Sequence, residues 1–189
     1  MTKQTKRIVV GISGASGIIY GVRLLQMLKT QHIETHLVMS KAARITLKTE
    51  MDLSVKDIEA MADYCHKVED IGASIASGSY MTDGMIIAPC SVKTMSEIAT
   101  GMTSSLLTRA ADVVLKEQRR LVLMVRETPL HLGHLRTMTR LSEIGAVIAP
   151  PVPAFYAQPE SLEQMVDYSL GRVLDQFGIH VSDLNRWKS

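Results

Sequence analysis

Cysteine is nearly missing from this chain. Two occur in 189 residues, Cys65 and Cys90, and they lack the pairing or metal-ligand spacing of a disulfide framework or a zinc site. That excludes a disulfide-stapled secreted domain and leads us to expect a reducing, cytoplasmic compartment. Charge of one sign is lacking too. The 21 Lys and Arg nearly balance 19 Asp and Glu, for a formal charge of +2, and no basic run tracks a phosphate backbone. Nucleic acid is therefore not an expected partner. Long apolar runs are also absent. After MTKQTKR, the stretch IVVGISGASGIIYGV is broken by Gly11, Gly14 and Gly17 and by Ser13 and Ser16, which argues against a secretory signal and against a membrane span. Aromatic residues make up only 4% while methionines number 12, a balance that suits an adaptable core and a surface ready to pack against copies of itself.

What is present is a series of five short apolar runs, RIVVGIS, THLVMS, GMIIAPCS, LVLMVRE and AVIAPPVPAFY. Helical spacing fills the gaps at Tyr20 to Lys29, Ala42 to Thr49, Leu106 to Lys116, Leu130 to Glu143 and Leu162 to Phe177. Strands alternating with helices demand parallel strands and right-handed crossovers. The expectation is an α/β fold, a Rossmann-like (flavodoxin-like) doubly wound parallel sheet in three layers, with residues 1–189 as a single domain. Asp52 to Asp83 fits less well. It combines a helix-like piece, Val55 to His66, with the cluster GASIASGS, and reads as an excursion from the sheet. Pro150, Pro151, Pro153 and Pro159 forbid a central strand in the last run and stiffen an extended segment around Tyr156.

Each run ends in hydroxyl or charged side chains, so Ser13, Ser16, Ser40, Ser91, Thr94, Arg126, Glu127 and Tyr156 converge on one sheet edge if the strands are parallel. Open α/β sheets bind ligands outside the carboxyl ends of their strands. The segment IVVGISGASG is a strand running through glycines into a helix, an arrangement that can receive a phosphate or merely let the helix pack closely. Its glycines miss the dinucleotide spacing, and a mononucleotide or another phosphate fits better. Ser40 and Ser91 can each cap a following helix or bond a ligand. Arg126 and Glu127, a charged pair at a strand end, can clamp an anion and exchange a proton. Arg109, Arg119 and Arg120 read as solvent-facing charges. His131 and His134 lack a third ligand, so no metal is expected. Cys90 has no local histidine to activate it.

Taken in order, the glycine loop, PCSVKT, RAADVVLKE, VRETPL and PPVPAFY closely resemble the UbiX-type flavin prenyltransferases over nearly the whole chain. The resemblance implies transfer of a dimethylallyl group from dimethylallyl monophosphate to reduced FMN, giving the prenylated flavin used by UbiD-type decarboxylases, including one in ubiquinone biosynthesis. It implies FMN contacts at Gly14, Ala15, Ser16, Ser40, Ser91, Val92, Lys93, Thr94 and Arg126, and isoprenoid phosphate contacts at Lys116, Arg126, Tyr156 and Arg172. It further implies catalytic positions at Ser16, Glu50, Lys116, Glu127 and Trp187. Members of the family form homo-oligomers, commonly dodecamers, with shared active sites.

These residue types suit the chemistry. Cations and a phenol stabilise the charge that builds on departing phosphate, and an aromatic such as Trp187 can face an allylic cation. Ser16, Glu50 and Glu127 can relay protons. Two other readings stand beside this one. The first is an FMN-dependent decarboxylase of the peptidyl-cysteine type, which would carry a different loop at PCSVKT and a catalytic histidine. The second is a flavin-binding module without catalysis, which would not need Lys116, Glu127, Tyr156 and Arg172 together.

Overall fold

The alternating runs resolve into a six-stranded parallel sheet with helices on both faces. The computed structural model describes residues 6–181. In chain order the elements are β1 (Arg7–Ile12), α1 (Ile18–Thr30), β2 (Glu34–Met39), α2 (Lys41–Glu50), α3 (Val55–Glu59) and β3 (Tyr64–His66). Then come β4 (Gly84–Cys90), α4 (Val92–Thr100), α5 (Leu106–Lys116), β5 (Arg120–Val125), α6 (Leu132–Glu143), β6 (Ala146–Ile148) and α7 (Leu162–Asp175). Spatial order is β3-β2-β1-β4-β5-β6, with every neighbouring pair parallel. Without the three-residue β3 this is the flavodoxin-type order. The order reverses between β1 and β4, and the crevice beyond their carboxyl ends is where such sheets bind ligands.

The central strands are buried on both faces, which explains why they read as continuous apolar runs. Side chains alternate across the sheet. Ile8, Val10 and Ile12 of β1 pack with Leu25 and Leu28 of α1, Leu47 of α2 and Leu170 of α7. The intervening Val9, with Met85 and Ile87 of β4, packs on Met95 of α4, Leu107 and Ala111 of α5 and Leu141 of α6. Each fully buried aliphatic side chain contributes about 1.5–3 kcal/mol, so the two layers hold the loops between them rigidly. Among the described residues no helix is long and apolar enough to cross a membrane.

Three features correct or extend these expectations. The helix-like piece Val55 to His66 stops at Glu59, and Tyr64–His66 joins β2 as an edge strand. Asp63 causes this: its carboxylate accepts from the Thr35 backbone N–H (2.8 Å) and the Thr35 hydroxyl (2.9 Å). His36 of β2, buried, then bonds His66 through Nδ1 at 2.9 Å and stacks on Tyr64, so the excursion is partly returned to the sheet. Second, the helix that Ser91 could cap is present as Val92–Thr100, an addition to the segments read from helical spacing, and it ends at Gly101 in the left-handed region (φ 71°). Third, two of the arginines taken as solvent charges fasten the loop before β4. Arg119 donates to the carbonyls of Tyr80 (2.9 Å) and Gly78 (2.6 Å), and Arg109 to that of Ala76 (3.2 Å). The proline-rich run is a strand only as far as Ile148, and a single 3-10 turn at Phe155–Ala157 carries Tyr156.

Candidate active site

The loops after β1 and β4 are tied together by Ser13. Its buried hydroxyl donates to the Pro89 carbonyl (2.8 Å) and accepts from the Ser91 N–H (2.7 Å). Ser13 thus spends its bonds inside the scaffold and is not available to a ligand. Gly14 lies so close to α2 that a Cβ there would stand 2.3 Å from the Ala42 Cβ. Ala15 and Ser16 follow, Ser16 exposed, and Gly17 turns into α1 with φ 103°.

The N-terminus of α1, which the glycine loop suggested for a phosphate, is already taken. The Glu50 carboxylate accepts from the N–H groups of Gly17 and Ile18, both at 2.9 Å. Burial works against its charge, but the Ser16 hydroxyl, the Ile18 and Gly17 N–H groups and the Arg126 guanidinium outweigh burial and hold the Glu50 carboxyl below its ordinary range. A carboxyl with a lowered folded pKa contributes stability that is complete above its unfolded value and is lost as pH falls through the folded one. Glu50→Gln is therefore expected to be less stable than the parent at neutral pH. The gap should close as pH drops below the ordinary value of 4.5, as read by denaturant melts over an acid series. A gap that persisted unchanged in acid would show that Glu50 acts through packing and not through its charge.

A cavity of about 260 Å³ opens beside this loop. Ser40, Ser91 and Ser105 line it and cap the N-termini of α2, α4 and α5, accepting from Ala43, Thr94 and Thr108 N–H groups at 3.0, 3.3 and 3.5 Å. Three helix N-termini directed at one hollow, with Thr94 and Lys93 in its wall, make a site for an anion. Ser40 and Ser91 thus serve as caps and as lining at once. Val92 is the first residue of α4, partly buried against the core.

Arg126 extends the edge. Its backbone N–H donates to Cys90 (3.0 Å), while its exposed side chain reaches the field of Glu50 and of Tyr20. The Tyr20 phenol, half-buried, is pushed up by burial and partly drawn back by Arg126. Glu127 is exposed and accepts from its own neighbour, Thr128 N–H, at 3.0 Å. Cys90 is completely buried and its thiol is pushed up to about 12 by burial, which keeps it out of nucleophilic chemistry. His131 caps α6 through Nδ1, accepting from Gly133 (3.0 Å) and His134 (3.4 Å), and stacks on His134.

Among the described residues, Tyr156 and Arg172 both neighbour Tyr168, while Lys116 stands apart from them. Tyr156 meets Tyr168 of α7, hydroxyl to hydroxyl and edge to face. Arg172, bonded to Asp175 at 2.7 Å, lines a second cavity of about 220 Å³ with Pro150, Val152 and Tyr168. Lys116 ends α5 at the opposite edge of the sheet, ahead of β5, where it pairs with Glu117 at 2.5 Å. Trp187 lies outside the described residues.

Comparison with known proteins decides what this edge belongs to. The Flavoprotein family model matches residues 1–174. Flavin prenyltransferase UbiX of Escherichia coli strain K12 is 61% identical over 186 residues, covering 97% of this chain and 98% of that protein. The chain belongs to the UbiX-type flavin prenyltransferases. A crystal structure of AnUbiX (PadA1) in complex with FMN and dimethylallyl pyrophosphate matches with TM-score 0.97 and 48% identity, over 98% of this chain and 99% of that one. A dodecameric FMN-dependent UbiX-like decarboxylase from Escherichia coli O157:H7 matches with TM-score 0.94 and 48% identity, over 97% of this chain and 100% of that one.

Around this edge, sequence reasoning passed over Tyr20, which lies in the field of Arg126, and over Lys41, Glu69, Glu97, Ser104 and Ser105, which line the cavity. Ser105 was open to detection, because Ser-x-x-Thr before an apolar helix is a capping pattern, and the reciprocal Ser105–Thr108 bonds are present. Glu97 lies four residues after Lys93 on α4, a spacing that reads as a helical ion pair, whereas Tyr20, Lys41, Glu69 and Ser104 take their places only through the packing of separate segments.

Proposed function

We propose that this protein transfers a dimethylallyl group from dimethylallyl monophosphate to reduced FMN, yielding prenylated FMN. The observation that carries the reading is the anion cavity at the β1/β4 switch point, beside Glu50 and Arg126, in a chain 61% identical to a flavin prenyltransferase. In this reading residues 1–189 form one flavin-binding domain. Ser40, Ser91 and Thr94, with the helix N-termini behind them, hold the FMN phosphate. Gly14, Ala15, Ser16, Val92, Lys93 and Arg126 complete the flavin contacts.

Bound reduced FMN supplies the electron-rich ring to be prenylated. The chain's own groups do the rest. As the allylic C–O bond breaks, its electron pair leaves with phosphate, and Lys116, Arg126, Tyr156 and Arg172 stabilise that charge more than they stabilise the intact donor. Glu127 delivers a proton toward the departing phosphate or the prenyl double bond, and Ser16 with Glu50 assists deprotonation at the ring-closing carbon. The Glu50 carboxylate, held ionised by its donors, suits the accepting role. Trp187 would face the allylic cation.

Lys116 stands at the far edge of the sheet, so its part fits a site completed by another subunit of a homo-oligomer, a dodecamer as in the solved relative. The product would serve a UbiD-type decarboxylase in the cytoplasm, with ubiquinone biosynthesis as the pathway.

Anaerobic incubation with reduced FMN and dimethylallyl monophosphate, and in parallel the diphosphate, tests the reading by the mass of the released flavin. One added prenyl unit is expected, with Glu127→Gln binding FMN but not prenylating it. Unmodified flavin from folded, FMN-bound protein with both donors would favour the binding-module reading. Full turnover by Glu127→Gln would remove Glu127 from the mechanism.

A further inference from the structure

The cavity assigned to the flavin phosphate is not a cationic one. Two lysines line it, and each already has a carboxylate partner lining the same hollow. Lys41 pairs with Glu69 at 3.0 Å, and Lys93 with Glu97 at 3.8 Å. Four opposite charges cancel, so the attraction for a phosphate dianion comes from helix N-termini and hydroxyls. The two carboxylates differ in setting. Glu69 is 60% exposed at the mouth, where solvent and salt screen it. Glu97 keeps only 15% of its side chain exposed and is fixed by the Ser104 hydroxyl, which donates to Oε2 at 3.0 Å. It lies one helical turn from Thr94, on the same face of α4 as the phosphate-capping end.

We infer that Glu97 is a counter-charge that sets how fast the flavin leaves. The inference rests on the reading of this cavity as the flavin phosphate site. Glu97 acts in two ways against a bound dianion: it repels the phosphate through a poorly screened wall, and it competes for Lys93. A tight phosphate grip is useful to a protein that keeps its flavin as a resident cofactor. In a prenyltransferase the flavin is a substrate, and the prenylated product carries the same phosphate out. A cavity that bound phosphate more tightly would retain substrate and product equally, lowering KM without helping turnover. Glu97 is thus a positioning and release residue and not a catalytic one.

The test compares Glu97→Gln with the parent for FMN and for riboflavin, which has no phosphate, by equilibrium titration and stopped-flow dissociation. Loss of one poorly screened like charge is expected to tighten FMN and slow its release by about tenfold, on the order of 1.4 kcal/mol, with riboflavin unchanged. Steady-state kcat and the KM for FMN should fall together as product release slows. Glu97→Ala, which removes the charge with a different side chain, should shift FMN the same way. Thr94→Val serves as the check on the site itself and should weaken FMN but not riboflavin. Unchanged FMN release in both Glu97 variants, with Thr94→Val weakened, overturns the counter-charge alone. An equal shift for riboflavin also overturns it. FMN binding indifferent to Thr94→Val overturns the phosphate-site reading and the inference with it.

Discussion

Co-expression of Lys116→Ala with Glu50→Gln is expected to restore prenyl transfer that neither variant shows alone. In the proposed mechanism each substitution removes a charged group from the transfer step, and losing one preorganised charge at a transition state costs about 100- to 1,000-fold in rate. Their positions separate them. Glu50 is bonded to the start of α1 at the carboxyl edge of the sheet, whereas Lys116 closes α5 before β5 begins. The helix between the two edges has 11 residues, and at a rise of about 1.5 Å per residue it spans about 16 Å. A lysine side chain cannot cross that distance within its own chain. If Lys116 acts on bound substrate, it acts in the site of a neighbouring subunit. In a random one-to-one assembly, about a quarter of the sites then draw both native residues from different chains, and activity should return to about that fraction. Hybrids no better than the single variants would show that Lys116 works only within its own subunit, for instance by holding Glu117 near Gly78.

The same contrast shows what could be read along the chain. Strand positions were legible because parallel strands buried on both faces must be continuously apolar, and the hydroxyls ending them point the same way by topology alone. Ser40, Ser91 and Thr94 could therefore be gathered before any coordinates. The partners of Ser13 and Glu50 could not, because both bonds join segments far apart in the chain. Ser13 reaches Pro89 and Ser91, and Glu50 reaches back to Gly17 and Ile18. The glycine loop stayed open between phosphate binding and close packing for the same reason. A strand, glycines and a helix describe a free helix N-terminus, but whether a distant carboxylate fills it is a tertiary fact. β3 was misread because Tyr64–His66 has weak strand character by itself and is held by Asp63, Thr35 and His36, so packing overrode the local pattern. Of the two ion pairs lining the cavity, Lys93–Glu97 is local to α4, four residues apart, whereas Lys41–Glu69 joins α2 to a segment beyond β3 and needs the tertiary fold.

Gly14→Ala should abolish FMN binding and destabilise the fold, and Ala42→Gly should return part of both. The reason is steric. Gly14 carries no positive φ among the backbone outliers, so an alanine there is not barred by its own conformation. It is barred by α2. The new Cβ would lie 2.3 Å from the Ala42 Cβ and 3.1 Å from the Ala42 carbonyl carbon, and neither belongs to a flexible side chain that could swing away. The loop must lift off α2. Because Ser13, next in the chain, is bonded to both Pro89 and Ser91, the displacement would pull on the cap of α4 and open the cavity that Gly14 and Ser91 line.

Forcing an extra carbon into such a contact costs about 1–3 kcal/mol. Ala42→Gly alone should cost about 1 kcal/mol, the usual penalty for glycine in a helix. In the double variant the 2.3 Å collision disappears with the Ala42 Cβ, although the 3.1 Å approach to the helix backbone remains. The two costs should therefore fall short of adding, by about 1 kcal/mol or more. Denaturant melts and FMN titration of all four proteins measure that coupling. Strict additivity would mean that the loop after β1 can shift freely and that its closeness to α2 does not shape the site. A coupling confined to FMN affinity, with stability additive, would place the constraint in the binding geometry of the loop alone.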